Sequence, residues 1–305
     1  MDPARRITFY LDPALLAQAK RGKFNFINRV AAAVAPLGYH VAYGAEAERR
    51  RSAFEPGFAI YHRVGPDHDR ALTMRQVYHP PFWTIEASKE RWEWAVSEAV
   101  FDPSEIDPDL AARFVDRWRR KLFSDWANAQ SAEPKGHFYV PLQGRLLHHR
   151  SFQSCTPIEM LESTLHWAGG RAVIAALHPR EFYAPSEMER LAELTAQNPN
   201  LALHEGQMHR FLPGAIATIT QNSAAAFNGY FFGVPAVLFA EIDFHHIAVD
   251  AHKLGALDAF RALPSHHPDY DRYLYWFWQI RAINAGHESA ERKIRDALAR
   301  GGWHL

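Results

Sequence analysis

Two rhythms of apolar and polar positions run along this chain. Short apolar runs, "RITFYL" at 6–11 and "YHVAYG" at 39–44, flank a stretch of helical spacing, "FNFINRVAAAVAPLG" at 24–38, which stops near Pro36 and Gly38. A strand, a helix and a strand in that order open a parallel α/β unit. "FAIYHRV" at 58–64 reads as a third strand after a charged, solvated segment at 46–54. The rhythm then changes. Residues 76–129 are rich in Trp and charge and predict mainly helices, one of them starting at Asp107 and Pro108.

From 137 onward the alternation returns. Strand-like runs at 137–143, 171–179, 200–206, 215–221 and 235–240 are separated by helical patterns at 156–170, 185–197 and 222–233. Such alternation predicts a doubly wound parallel sheet. Small, polar and breaker residues at 131–136, "SAEPKG", read as a linker. The tail reads as two helices, 269–286 and 288–302, that pack back across both domains; the aromatic run "YLYWFWQI" at 273–280 is apolar nearly all round and reads as core. The expected organisation is an N-terminal α/β domain over 1–130 with a Trp-rich helical insertion, a C-terminal α/β domain over 137–265, and bridging helices over 266–305.

Composition narrows the function. At 305 residues the chain is long enough for two cores. Lys plus Arg equal Asp plus Glu at 34 each, so no global field argues for nucleic acid as a partner, and any charged ligand must be met locally. The single cysteine, Cys155, excludes an internal disulfide framework and fits a reducing cytoplasm; it reads as packed rather than nucleophilic. The N-terminus lacks the pattern of a signal peptide, and no window is apolar enough to cross a bilayer. A cytoplasmic protein is expected, with docking at the inner membrane surface left open. There is no GxSxG elbow, no P-loop and no GxGxxG, so serine hydrolase, P-loop kinase and dinucleotide dehydrogenase lack their signatures.

In open α/β sheets ligands bind beyond the carboxyl ends of the strands. There stand His178, Pro179 and Arg180 after one predicted strand, and Gln221, Asn222 and Ser223 after another, just before a helix. A helix start offers free N–H groups and the positive dipole end, which suit phosphate, although caps of this kind also serve the helix alone. "EIDFHHIAVDAH" at 241–252 brings Asp243, His245, His246 and His252 close in sequence. On a strand, adjacent histidines face opposite ways, so a shared metal is not expected there, nor is any cofactor. The pairs His148/His149 and His266/His267 read as structural.

The set "FYVPLQ", "ALHPRE" and "TQNSAAAFNGYFFGVPAVLF" resembles the capsular polysaccharide biosynthesis family that includes bacterial Kdo transferases, over about residues 136 to 245. The resemblance implies a glycosyltransferase-B architecture, in which two Rossmann-like domains face a cleft. It also implies transfer of a sugar, such as CMP-linked Kdo, from a nucleotide-sugar donor to a saccharide or glycolipid acceptor of surface polysaccharide. His178 and Ser223 would then hold the nucleotide phosphate, with Gln143, Arg180, Gln221 and Asn222 around them, and His178 is the catalytic candidate. One departure matters. Relatives carry a nucleophilic aspartate after the Gln-bearing strand, whereas "GRLLHHRSFQ" at 144–153 contains no acid. It offers Arg145, His148, His149 and Arg150, a cationic group suited to phosphate or, through Arg145 and Arg150, a sugar carboxylate. A base or nucleophile would come from Glu181, Asp243 or Glu86. The missing acid keeps open a noncatalytic protein of polysaccharide assembly, its Trp-rich segment docking partners. A sugar-nucleotide epimerase is a further alternative without its usual glycine pattern.

Overall fold

The computed structural model describes residues 2–126 and 136–305. In chain order it contains β1 (Arg6–Leu11), α1 (Pro13–Lys20), α2 (Asn25–Val34), β2 (His40–Ala45), β3 (Phe58–His62), β4 (Ala71–Gln76), β5 (Phe82–Glu86) and α3 (Pro108–Phe123). It continues with β6 (His137–Leu142), α4 (Pro157–Trp167), β7 (Val173–Leu177), α5 (Pro185–Gln197), β8 (Leu201–Glu205), α6 (Met208–Phe211), β9 (Ala215–Thr220) and α7 (Ala224–Tyr230). The remainder comprises β10 (Ala236–Leu238), β11 (Val249–Asp250), α8 (Ala251–Leu254), α9 (Ala256–Ala262), α10 (Tyr270–Tyr275), a π-helical turn (Trp276–Arg281), β12 (Ile283–Asn284) and α11 (Ala290–Arg300).

The chain divides into two compact units, Met1–Ala99 with Trp276–Leu305, and Val100–Tyr275. Each carries one six-stranded, mostly parallel sheet, and the α/β class expected from the sequence is present in both. The division falls at 99 and 275 rather than after 130 because α3 packs with α10 in the second unit. The predicted linker at 131–135 lies outside the described residues.

In the first unit the strand order is β12-β5-β4-β3-β1-β2. Helix α2 turns Phe26, Ile27, Val30, Ala33 and Val34 inward, and α11 adds Ile294, Ala297 and Leu298 to the same core. The expectation of helices over 76–101 fails here. Pro80 and Pro81 cannot continue a helix, and "FWTIE" forms β5, antiparallel to β4, with Phe82, Trp83 and Ile85 buried. The tail also departs from two plain helices: β12 adds to the sheet beside β5, and the turn before it is π-helical.

In the second unit the order is β11-β10-β9-β6-β7-β8. From β6 the chain builds outward through β7 and β8, then returns to the other side of β6 with β9, β10 and β11. The direction reverses between β6 and β9. That reversal is a topological switch point, where loops leaving the two strands part and open a crevice. β6 is buried along its whole length, and α4 is fixed at its start by a reciprocal cap between Thr156 and Glu159.

Candidate functional site

The carboxyl ends of β6, β7 and β9 gather most of the polar residues singled out from the sequence. Leu142 pairs with Leu177, so one residue further Gln143 stands beside His178. On the other side Tyr139 pairs with Thr218, which carries Leu142 alongside Gln221. With neighbouring strands about 4.8 Å apart, the three exits span roughly 10 Å.

The loop after β6 turns sharply. Arg145 adopts φ of 64°, a left-handed conformation that side chains other than glycine adopt at a cost. The glycine before it allows a close approach: a Cβ on Gly144 would lie 2.7 Å from Oε2 of Glu181 and 3.2 Å from the Phe182 carbonyl. Glu181 thus brings a carboxylate against the very segment whose own sequence lacks an acid. Arg150 lies within electrostatic reach of both Arg145 and Glu181; burial first, and then the neighbouring Arg145 charge, lower its pKa. Nε and Nη2 of Arg150 are shielded from water and have no hydrogen-bond acceptor in the described structure.

The loop from 150 to 156 is tied down from both sides. The Arg150 N–H donates to Oε1 of Gln153 at 2.9 Å, and His149 contacts the Gln153 carbonyl through Nε2 at 2.5 Å. Gln153 forms an antiparallel bridge with Ala240, and Ser154 bonds Phe239 through its N–H and its hydroxyl. Gln221, 2% exposed, donates Nε2 to the Cys155 carbonyl at 3.1 Å. This leaves a further set of buried polar atoms without partners: Oε1 of Gln143, Oε1 of Gln221 and Nε2 of Gln153. Unsatisfied buried groups are uncommon in folded proteins, and these three stand just beyond the ends of β6, β9 and β10.

After β7, the His178 N–H donates to the Tyr183 hydroxyl at 2.7 Å, and that hydroxyl donates to the Leu142 carbonyl at 3.1 Å. Tyr183 therefore fastens the His178 turn to the end of β6. Nδ1 of His178 accepts from the Arg180 N–H at 3.2 Å, so the neutral ring carries its proton on Nε2. His178, Arg180 and Glu181 are exposed.

At the α7 start, Ser223 is a working N-cap: its Oγ accepts from the Ala225 N–H at 3.2 Å, and its own N–H donates to Oγ1 of Thr220. Asn222 reaches the Glu241 carbonyl at 3.4 Å. The helix itself has only seven residues. Cys155 is half-buried and burial raises its thiol pKa, which disfavours a nucleophilic thiolate.

The histidines at 245 and 246 correct one expectation. They lie in a 3-10 turn, not a strand, and their rings stack at 4.3 Å because successive side chains there are turned by less than on a strand. His245 contacts the Ile242 carbonyl and His246 the Tyr273 hydroxyl. Among the described residues, no group of three or more His, Cys, Asp or Glu could hold a metal ion. His266 contacts the Ile247 carbonyl at 2.8 Å. Gln153, Tyr183 and the Glu181 approach to Gly144 were not singled out as such by sequence, since each depends on a contact between distant segments.

No family model matches the chain and no curated protein shows significant similarity to it. Among solved structures, the chain is similar to the β-Kdo 2,7-transferase of Thermosulfurimonas dismutans KpsC, at 13% identity and a TM-score of 0.46, over 78% of this chain and 79% of that one. It is similar to UDP-GlcNAc 2-epimerase of Neisseria meningitidis bound to UDP-GlcNAc, at 11% identity and 0.39, over 97% and 99%. It is also similar to a UDP-forming α,α-trehalose-phosphate synthase of Burkholderia xenovorans, at 10% identity and 0.42, over 95% and 81%.

Proposed function

We propose that the crevice of the second unit holds the phosphate of a nucleotide-activated sugar and that the protein is a glycosyltransferase. The observation that carries this reading is the pair Arg145 and Arg150 at the switch point, with two buried Arg150 nitrogens lacking an acceptor. A guanidinium presents a planar fork to phosphate or carboxylate, so an anion seated here would supply the missing acceptors. The motif resemblance over 136–245 favours a CMP-linked acidic sugar as donor, and the same arginines suit its carboxylate. A saccharide or glycolipid of surface polysaccharide is the corresponding acceptor.

In this reading the acceptor hydroxyl attacks the anomeric carbon as the bond from that carbon to the phosphate oxygen breaks. The electron pair leaves with the nucleotide phosphate. Its growing charge is met by Arg145, Arg150 and the Nε2 proton of His178, with Arg180, Asn222 and Ser223 at the rim. Glu181 takes the acceptor proton. Gln143, Gln153 and Gln221 offer polar atoms that orient the donor.

The test is nucleotide release from CMP-, UDP- and GDP-sugars by the purified protein. Release of CMP is expected, with Glu181→Gln slowing turnover by about a hundredfold or more while CMP affinity is kept. Nucleotide binding without release from any donor would replace the enzyme by the noncatalytic assembly protein.

A further inference from the structure

The first unit contains a cavity of about 260 Å³ that the proposed transfer does not use. Its walls come from the end of β5, residues 94–96, the π-helical turn and α11. Four cationic side chains line it, Arg281, Arg292, Lys293 and Arg300, against two carboxylates, Glu86 and Asp296. Asp296 is committed to Arg292 at 2.9 Å. Glu86 accepts from the Thr84 hydroxyl and from the Ala95 N–H. Arg281, Lys293 and Arg300 have no carboxylate within ion-pair distance among the described residues.

These three cations are held together rather than scattered. Lys293 is fixed by the carbonyls of Gln279, Ile280 and Ala282 at 2.7 to 2.8 Å, and Arg281 donates to the Ala95 carbonyl at 3.3 Å. Arg300 lies in the last turn of α11, where a cation complements the helix dipole; that accounts for its own position and not for the convergence of the others. Burial, followed by the neighbouring arginine charges, pulls the Lys293 ammonium down to about 8, and burial followed by Arg300 lowers Arg281. Like charges therefore crowd a shared concavity in which one buried carboxylate faces three cations.

We infer that this cavity in the first unit is a second anion site, which takes a phosphate monoester between Arg281 and Arg300, with Lys293 supplying charge from beneath. Bidentate contact with guanidinium favours phosphate, and the volume admits a phosphate with a small group attached. Glu86 lies opposite Thr73, at the first half of the parallel strand β4. All the residues lining the cavity belong to the first unit, whereas the crevice proposed for the donor lies in the second, and its occupant is a phosphorylated ligand other than the donor.

The experiment is calorimetric titration of the full chain with inorganic phosphate, comparing wild type, Arg281→Gln/Arg300→Gln and Arg145→Gln/Arg150→Gln. An unchanged melting temperature checks that the fold is kept in both double variants. The first double variant is expected to lose a phosphate site or weaken it by about tenfold or more, while the second keeps that site whether or not the transferase reading stands. A parallel arm sediments the protein with phosphatidylcholine vesicles doped with phosphatidate. Vesicle binding lost only in Arg281→Gln/Arg300→Gln, with no site for free phosphate, would place the monoester on a lipid headgroup. Phosphate and vesicle behaviour identical between this variant and wild type would overturn the inference.

Discussion

Two nitrogens of Arg150 are removed from water without an acceptor, beside a second guanidinium, and such an arrangement costs free energy unless an anion completes it. Arg150→Gln is therefore expected to weaken nucleotide binding by about tenfold to a hundredfold, the 1.5 to 3 kcal/mol typical of hydrogen bonds to charged groups, without lowering the melting temperature. Calorimetry paired with a thermal melt reads both. Tyr183 calls for the opposite pattern. Its hydroxyl joins the His178 N–H to the Leu142 carbonyl, so Tyr183→Phe should lower stability by about 1 to 2 kcal/mol and loosen the His178 turn. Denaturant unfolding measures this; a variant as stable as wild type would deny Tyr183 that role. Residues such as Arg145, Arg150 and Gln221 were legible as polar side chains at strand exits. Gln153 and Tyr183 were not, because nothing local distinguishes a buried glutamine or a tethering tyrosine from a solvated one.

Among the elements, those with clear periodicity formed where the sequence placed them. "RITFYL" is β1, "PSEMERLAELTAQ" is α5, and Thr156 caps α4. β4 and β5, consecutive strands that pair antiparallel, were missed because the Trp-rich, charged composition around them read as helical, and β12 because its partner β5 lies far back in the chain. At the end of β3, His62 comes 3.7 Å from Asp12, the cap of α1, and burial, then Arg63, depress its pKa to about 4 despite that carboxylate. Its folded pKa lies below the unfolded value of 6.5, so the unfolded chain binds more protons between the two. Stability from this group is full above about 6.5 and falls as pH drops through 6.5 toward 4. His62→Gln should flatten that part of the stability profile in urea unfolding; an unaltered slope would show that His62 does not titrate there.

For the whole molecule, the first unit is assembled from both ends of the chain. Ile294, Ala297, Leu298 and Trp303 share a core with Ile7, Ile27 and Leu72. Removal of 276–305 is expected to abolish hydrogen-exchange protection in β1 to β5 while the second unit keeps its protected sheet; protection retained in both would contradict the division. The sequence anticipated two α/β parts and a tail returning across them, but not that the segment from 276 joins the first unit with a strand of its own, β12, which depends on contacts distant in sequence. None of the described helices is long and apolar enough to cross a membrane.

We propose an anion-binding crevice at the β6/β9 switch point that seats a nucleotide phosphate. Its most direct test is calorimetric titration of CMP, UDP and GDP into wild type and into Arg145→Gln/Arg150→Gln. CMP is expected to bind in preference to the other two, and its binding to be lost or weakened by about a hundredfold or more in the double variant. No binding of any nucleotide, or binding that the double variant leaves intact, would contradict it.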